Sequence, residues 1–304
     1  MSDSRSLPDT GSPGAAHDWT GYDRVADDFT MVSTPHFFAR PAADLVRLMD
    51  LAPGARLLDV GTGSGVCLAA AASRDAGVRG TGIDPSRQMH RRTSAGPATA
   101  VVGRAPGLPF PSAVFDGVCA GFVLSHIDDY RAAIDDMIRV ARPGEVLGWG
   151  GGGDGDGDGD GDGMRGGRIG ASAWAEGGRE DEPLWRAAIG DLVDLEELGR
   201  EVARALPWHQ FFAREGNLAR VMRESGLTDV ATRGENYPID ISLGDYLRYR
   251  GASSMGRLIR ARLPDGESDR IWQEVGRRLM RAAGDRLKFI APAYLVTGTA
   301  PRTR

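Results

Sequence analysis

The chain has 304 residues, enough to bury the core of one elaborated α/β domain or of two smaller units. Apolar residues make up 41% and charged residues 26%, an ordinary globular balance. No apolar run approaches the roughly 18 residues that a membrane span needs. The net charge is −5, and five aspartates fall in one tract at 154–162, so the remainder is near neutral and offers no large basic face for nucleic acid. No charged-then-apolar leader opens the chain, which makes a cytoplasmic protein the expectation. Cys67 and Cys119 have neither metal-ligand spacing nor a disulfide framework. No metal site is expected, and Cys67 reads as small apolar packing.

Residues 1–18 are rich in Ser, Pro, Gly, Asp and Ala without periodicity and are expected to be disordered. In WTGYDRVADDF, residues 19–29, Trp19, Tyr22, Val25, Ala26 and Phe29 recur at helical steps. The helix either packs on the core or serves as a flap over a ligand. A second helix follows over 36–51, with Pro41 near its start, and ends before Pro53-Gly54.

The stretch LLDVGTGSGVCLAAAA, residues 57–72, organises the rest. A short apolar run, a glycine turn and an alanine-rich segment read as buried strand, tight loop and helix start. The loop would present free N–H groups at a helix N-terminus. The dinucleotide fingerprint G-x-G-x-x-G wants glycine where Val66 stands. The text is instead D-V-G-T-G-S-G, with an acid two residues before the first glycine. It resembles the first motif of class I S-adenosylmethionine (SAM)-dependent methyltransferases. YDRVADDF also looks like the short helix that precedes the core in small-molecule members of that family.

Residues 78–83 predict a second strand ending in Asp84, about 20 residues past the glycine loop. A carboxylate there can accept from two vicinal ribose hydroxyls. It can also cap the helix that begins at Pro85. After a short strand at 99–102, GRAPGLPFPSAVFD is similar to a loop of the family, except that Arg104 replaces an acid that usually meets the adenine amino group. Arginine has no acceptor to offer. A fourth strand at 115–120 runs out through Gly121 and Phe122 to His126, on the side where open α/β sheets bind ligands. DDYRAAIDDMIRVARPG, beginning at Asp128, reads as an amphipathic helix with Ala133, Ile134, Met137, Ile138 and Ala141 on its apolar stripe.

The family's next strand is displaced by a Gly-Asp repeat too polar to fold. The fifth strand is expected at 168–175, with 145–149 as the alternative registration. Beyond it lie helical segments with the aromatic cluster Trp208, His209, Phe211 and Phe212, then a helix, a strand, two helices over 241–263 and 268–287, and a last strand.

The resemblance covers 57–143 closely and the remainder loosely. It implies an α/β, Rossmann-like seven-stranded sheet with a helical N-terminal flap and helical lid insertions. The expected divisions are 1–18 disordered, 19–53 flap, 54–175 SAM-binding core with an insertion at about 145–166, and 176–304 lid and sheet completion. It implies S-adenosyl-L-methionine as cofactor. Asp59, Gly61, Thr62 and Gly63 would hold its amino-acid end, and Asp84, with Pro85 beside it, the ribose. Met89, Gly103, Arg104 and Ala105 would lie along the adenine. Gly121 and Phe122 would lie near the sulfonium, with Tyr22 on the flap. His126 and His209 are the candidate general bases. The expected partner is a small-molecule methyl acceptor, a specialised metabolite by this reading, with no nucleic acid or membrane and with a homodimer allowed. Two other readings stay open: a non-methylating SAM-binding protein or cyclase on the same fold, and a nicotinamide-dependent oxidoreductase, which the glycine spacing disfavours.

Overall fold

The structure, a computed structural model, describes residues 20–93, 98–144, 166–177 and 179–302. The segment expected to be disordered at 1–18, Trp19 and the Gly-Asp tract lie outside the described residues, as does the alternative fifth strand at 145–149.

Strand β1 (Arg56–Val60) carries Leu57, Leu58 and Val60, each at most 2% exposed. Such a continuous apolar run suits a strand covered on both faces of a parallel sheet. It pairs in parallel with β2 (Arg79–Asp84) on one side and β4 (Gly117–Gly121) on the other. β3 (Thr99–Val102) extends the sheet beyond β2, and β5 (Arg168–Trp174) joins β4 in parallel. The long strands β6 (Thr228–Ser242) and β7 (Arg286–Thr299) finish it, with β7 antiparallel to both β5 and β6. The order is β3-β2-β1-β4-β5-β7-β6, the seven-stranded sheet expected from the sequence.

Helices cover both faces. α2 (Ala39–Met49) and α3 (Val66–Arg74) bury Leu45, Met49, Leu68 and Ala71 on one face. On the other face α5 (Tyr130–Val140) turns Ala133, Ile134, Met137 and Val140 inward, and α9 (Asn217–Glu224) adds Leu218, Val221 and Met222. Asp129 caps α5, accepting from Ala132 N–H at 2.9 Å. A third cluster packs α6 (Glu182–Ile189), α7 (Leu195–Ala205), α10 (Leu243–Ala252) and α12 (Asp265–Ala283) with the far ends of β6 and β7, around Trp185, Leu198, Tyr246 and Phe289.

Two elements differ from expectation. The helix begun by α1 (Thr20–Asp28) continues as a π-helical segment, Phe29–Phe38, before α2. The helix expected over 241–263 is broken in two, α10 and α11 (Ser254–Arg262). At the break Ser253 is extended; its hydroxyl donates to Arg250 C=O at 2.6 Å and accepts from Gly256 N–H at 3.3 Å. One serine ends one helix and caps the next, and a continuous apolar stripe hides such a local competition.

The two ends of the Gly-Asp insertion touch. A Cβ added to Gly166 would lie 2.5 Å from Gly144 Cα, and Gly167 N–H donates to Arg142 C=O at 2.7 Å. Deleting 150–163 should therefore shift the melting temperature by less than about 2 °C, because a long surface loop adds little closure entropy. A drop beyond about 6 °C in differential scanning fluorimetry would make the tract structural.

Candidate functional site

The glycine turn after β1 is folded against the end of β2. Gly61 and Thr62 N–H groups both donate to Ile83 C=O, at 2.8 and 3.1 Å. Gly61 has φ +67°, and a Cβ there would strike Val123 Cγ2 at 2.3 Å, so only glycine fits. Gly63 also has positive φ, +52°, but a Cβ on it would meet nothing nearer than 3.9 Å. A Cβ at Gly63 would thus make only ordinary contact, with the Phe29 ring, whereas one at Gly61 would clash.

Asp84 is 8% exposed and turned toward this loop. One carboxylate oxygen accepts from Gly63 N–H at 2.9 Å and the other from Ser86 N–H at 2.8 Å. The capping role belongs to Ser86, whose hydroxyl accepts from Met89 N–H at 3.1 Å in α4 (Arg87–Arg92). Ser86 also donates to Asp23 at 2.5 Å, which ties α1 to the turn after β2. The π-helical segment makes a second tie, Thr34 Oγ1 to Ser64 Oγ at 2.8 Å.

Asp59 lies inside the loop. It is 2% exposed, accepts from Thr62 Oγ1 at 2.8 Å and from Cys119 Sγ at 3.4 Å, and lies beside Cys67. Burial, only partly offset by these hydrogen bonds, pushes its pKa from 3.8 to about 7. Cys67 and Cys119 share a hydrogen bond that draws the Cys67 thiol down and the Cys119 thiol up; burial and the Asp59 charge leave both above the usual thiol range. The three donor atoms lie within 4.8 Å of one another. Protonated thiols donating to a carboxylate account for the arrangement as a buried hydrogen-bonded cluster, an adjacency that sequence spacing did not reveal.

Met89 is buried at 2%. Gly103 N–H donates to Asp84 C=O at 3.1 Å, which carries the chain past the end of β2; Ala105 is buried and Arg104 exposed. Pro85 is half-buried. Tyr22 is on α1, but its side chain lies outside the described residues. Past Gly121, Phe122 takes φ +57°, rare for a bulky residue, and its N–H donates to both Ser172 C=O and Ser172 Oγ at 3.2 Å. Its ring stacks on Trp174 at 4.3 Å and meets the edge of Phe38 at 5.4 Å.

His126 ends a 3₁₀ turn, Leu124–His126, half-buried beyond β4. His209 opens α8 (His209–Phe212), whose following residue Ala213 accepts from Glu176 N–H, just past β5, at 2.8 Å. Desolvation by the surrounding protein, and then the Arg179 charge, hold the His209 imidazole below its ordinary 6.5, although the residue keeps an exposed edge. The strand ends thus bring the loop, Asp84, Gly121 and Phe122 to one side of the sheet. Sequence reasoning missed Phe38, Ser172 and Trp174. Position at the carboxyl end of β5 was the signal available for the last two.

Residues 58–147 match the family model described as a methyltransferase domain. The demethylmenaquinone methyltransferase of Roseiflexus castenholzii is 30% identical over 193 residues, which cover 59% of this chain and 70% of that protein. The chain is a class I SAM-dependent methyltransferase by family. Against other curated relatives, such as the demethylmenaquinone methyltransferase of Bacillus mycoides at 28% identity, the match spans 40% of this chain and 56% of the relative's length. Among solved structures, the [4+2]-cyclase SpnF matches with a TM-score of 0.55 at 15% identity, over 95% of this chain and 98% of that one. At that identity the likeness establishes the methyltransferase fold alone.

The methyltransferase cofactor is S-adenosyl-L-methionine, and the residues present fit it. The positive-φ turn at Gly63 lies against an anchored carboxylate at the end of β2, the pairing that the cofactor's ribose and amino-acid ends call for. Asp59 itself faces the buried side of the loop, where it holds Thr62.

Two expectations follow. A carboxyl whose folded pKa is raised favours the folded state fully below its unfolded pKa and loses that advantage as pH climbs to the folded value. Asp59 should therefore reduce stability between about pH 4 and pH 7, by of the order of 4 kcal/mol for a three-unit shift. Asp59→Asn should flatten that slope in urea unfolding measured at pH 5 and pH 8; parallel slopes would show that Asp59 stays ionised. Separately, Asp84→Asn, whose amide can accept from only one of the Gly63 and Ser86 N–H groups, should weaken SAM binding by ~1.5–3 kcal/mol in calorimetry and lower the melting temperature as the loop loses one anchor. Unaltered affinity would remove Asp84 from the ribose.

Proposed function

We propose that this protein transfers a methyl group from SAM to a small-molecule acceptor, a specialised metabolite. The observation that carries the reading is the positive-φ turn at Gly63 docked on the buried Asp84 carboxylate, at the strand ends that also present Phe122. The relatives named as methyltransferases support it. Among the described residues no helix is long and apolar enough to cross a membrane.

When bound, SAM supplies an activated methyl group on a sulfonium. The protein's share is alignment and exclusion of water, which can lower a barrier by roughly 7–11 kcal/mol. In this reading the turn at Gly61–Gly63 lies along the amino-acid end, but its N–H groups, expected to be free, are committed to Ile83 C=O and Asp84, and Asp59 fixes Thr62 behind it. Asp84 grips the ribose. Gly103 and Ala105 lie along the adenine by backbone, since Arg104 is exposed and offers no acceptor. Met89 would be the apolar side chain against the adenine. Tyr22 lies on the flap, and Gly121 and Phe122 face the sulfonium side. A hydroxyl acceptor must lose a proton as its oxygen attacks. In this reading the candidate bases are His209, whose imidazole is held below its ordinary pKa by desolvation and then by Arg179, and His126, beyond the end of β4.

Mass spectrometry for a product heavier by one CH₂ separates methyl transfer from a non-methylating role on the same fold. Alanine at the histidine that acts as base should lower kcat by ~10²–10⁴ while SAM affinity holds. With His209 as base, the acid limb of the kcat profile should fall below pH 6.5. Equal, small losses at both positions would set imidazole base catalysis aside.

A further inference from the structure

Ser86 stands between two carboxylates. It is 2% exposed, and its backbone N–H donates to Asp84 Oδ1 at 2.8 Å, while Asp84 Oδ2 accepts from Gly63 N–H at 2.9 Å. Those two bonds set the plane of the Asp84 carboxylate against the turns after β1 and β2, the cradle of the cofactor reading. The Ser86 hydroxyl oxygen accepts from Met89 N–H at 3.1 Å. Its proton goes to Asp23 Oδ1 at 2.5 Å, from a residue 63 positions earlier in the chain. The same Asp23 oxygen accepts from Gln88 N–H at 3.2 Å.

Other contacts already fasten α1. Val25 and Ala26 are buried at 5% and 2% exposure, and Asp28 pairs with Arg248 of α10 at 3.0 Å. Asp23 instead reaches the one residue whose N–H orients Asp84. Ser86 is sealed from water, so a hydroxyl deprived of Asp23 cannot turn to solvent for an acceptor. A buried donor left without a partner is penalised, and the turn relaxes to find one. The Ser86 N–H moves with that turn, and hydrogen bonds weaken steeply once off line. The carboxylate it holds then loses its setting. Charge on Asp23 is not what this chain of bonds needs. One oxygen takes both bonds, and an amide carbonyl offers the same two lone pairs.

We propose that Asp23 is a positioning residue for the cofactor: through the Ser86 hydroxyl it sets the Asp84 carboxylate for the ribose hydroxyls, without touching the ligand. The proposal rests on the methyl-transfer reading above and on its assignment of Asp84 to the ribose. The full-length protein is titrated by calorimetry with S-adenosylhomocysteine and with its 2′,3′-dideoxy analogue, which lacks both ribose hydroxyls. The unaltered protein should prefer the hydroxylated ligand by about tenfold or more. Asp23→Ala should weaken S-adenosylhomocysteine by about fivefold or more and the dideoxy analogue by less than about twofold, so that the preference collapses. Binding of the analogue shows that the variant is folded. Asp23→Asn should hold both affinities within about twofold, because its carbonyl replaces the oxygen that is used. In a Ser86→Ala background, Asp23→Ala should change S-adenosylhomocysteine affinity by less than about twofold, since the two residues act in series. No effect of Asp23→Ala, equal losses for the two ligands, asparagine as damaging as alanine, or an undiminished effect in the Ser86→Ala background would each overturn the role of Asp23 alone. No preference between the ligands in the unaltered protein would remove Asp84 from the ribose. Failure of S-adenosylhomocysteine to bind that protein would overturn the methyl-transfer reading with it.

Discussion

The hydrogen bonds from Gly63 and Ser86 N–H groups to the Asp84 carboxylate hold the site together. A charged acceptor makes such bonds worth about 1.5–3 kcal/mol each, more than a neutral pair. They join the turn after β1 to the turn after β2, two segments 21 residues apart, and so fix the crevice between adjacent strand ends. The other contacts of the loop depend on that docking. Ile83 C=O can accept from both Gly61 and Thr62 only while the loop lies over the end of β2. Gly61 can pass Val123 only because it has no side chain.

The same loop is supported from behind by a different chemistry. Asp59 is excluded from water and surrounded by one hydroxyl and two thiols. Weak thiol donors compensate less well than water, and for this reason its pKa rises. The helices beyond β5 are fastened by the opposite strategy. Asp181 accepts from Arg179 at 2.7 and 2.9 Å and from the Tyr246 hydroxyl at 2.8 Å, and Arg250 stands 3.7 Å away. Here strong donors overcome the burial that would raise the Asp181 pKa and hold it below the usual carboxylate range. Arg179 also lies over Phe37, Tyr249 and Phe289 at 5.4–5.6 Å, so one side chain links these helices, the π-helical segment and β7.

What could be read from the sequence was what local order encodes. D-V-G-T-G-S-G carries a strand, a turn and the need for glycine in consecutive letters, and Asp84 ends a strand at a known distance from it. The fifth strand at Arg168–Trp174 could be found past the Gly-Asp tract because its small and β-forming residues sit where β4 needs a partner. The Asp59–Cys67–Cys119 cluster could not. It joins a strand, a helix and a second strand that only the finished sheet brings within 4.8 Å. The contact of Phe38 with Trp174 escaped for the same reason: the two are 136 positions apart and meet only through the fold. The break at Ser253 escaped because a side chain outcompeted a helical hydrogen bond within an otherwise unbroken pattern.

The flap and the cofactor loop hold one another's atoms. Asp23 accepts from Ser86, the residue whose N–H helps anchor Asp84, and Thr34 is bonded to Ser64 within the glycine turn. Displacing the flap removes partners from the turns that form the cradle. Ordering the cradle, in turn, presents those turns in the geometry the flap binds. Two segments that share hydrogen-bonding partners have a common equilibrium, and a ligand that favours one arrangement of the cradle shifts the flap by the same free energy. With Phe29 and Phe38 on that flap and Phe122 and Trp174 on the sheet, the two pairs of rings meet only when the flap is docked.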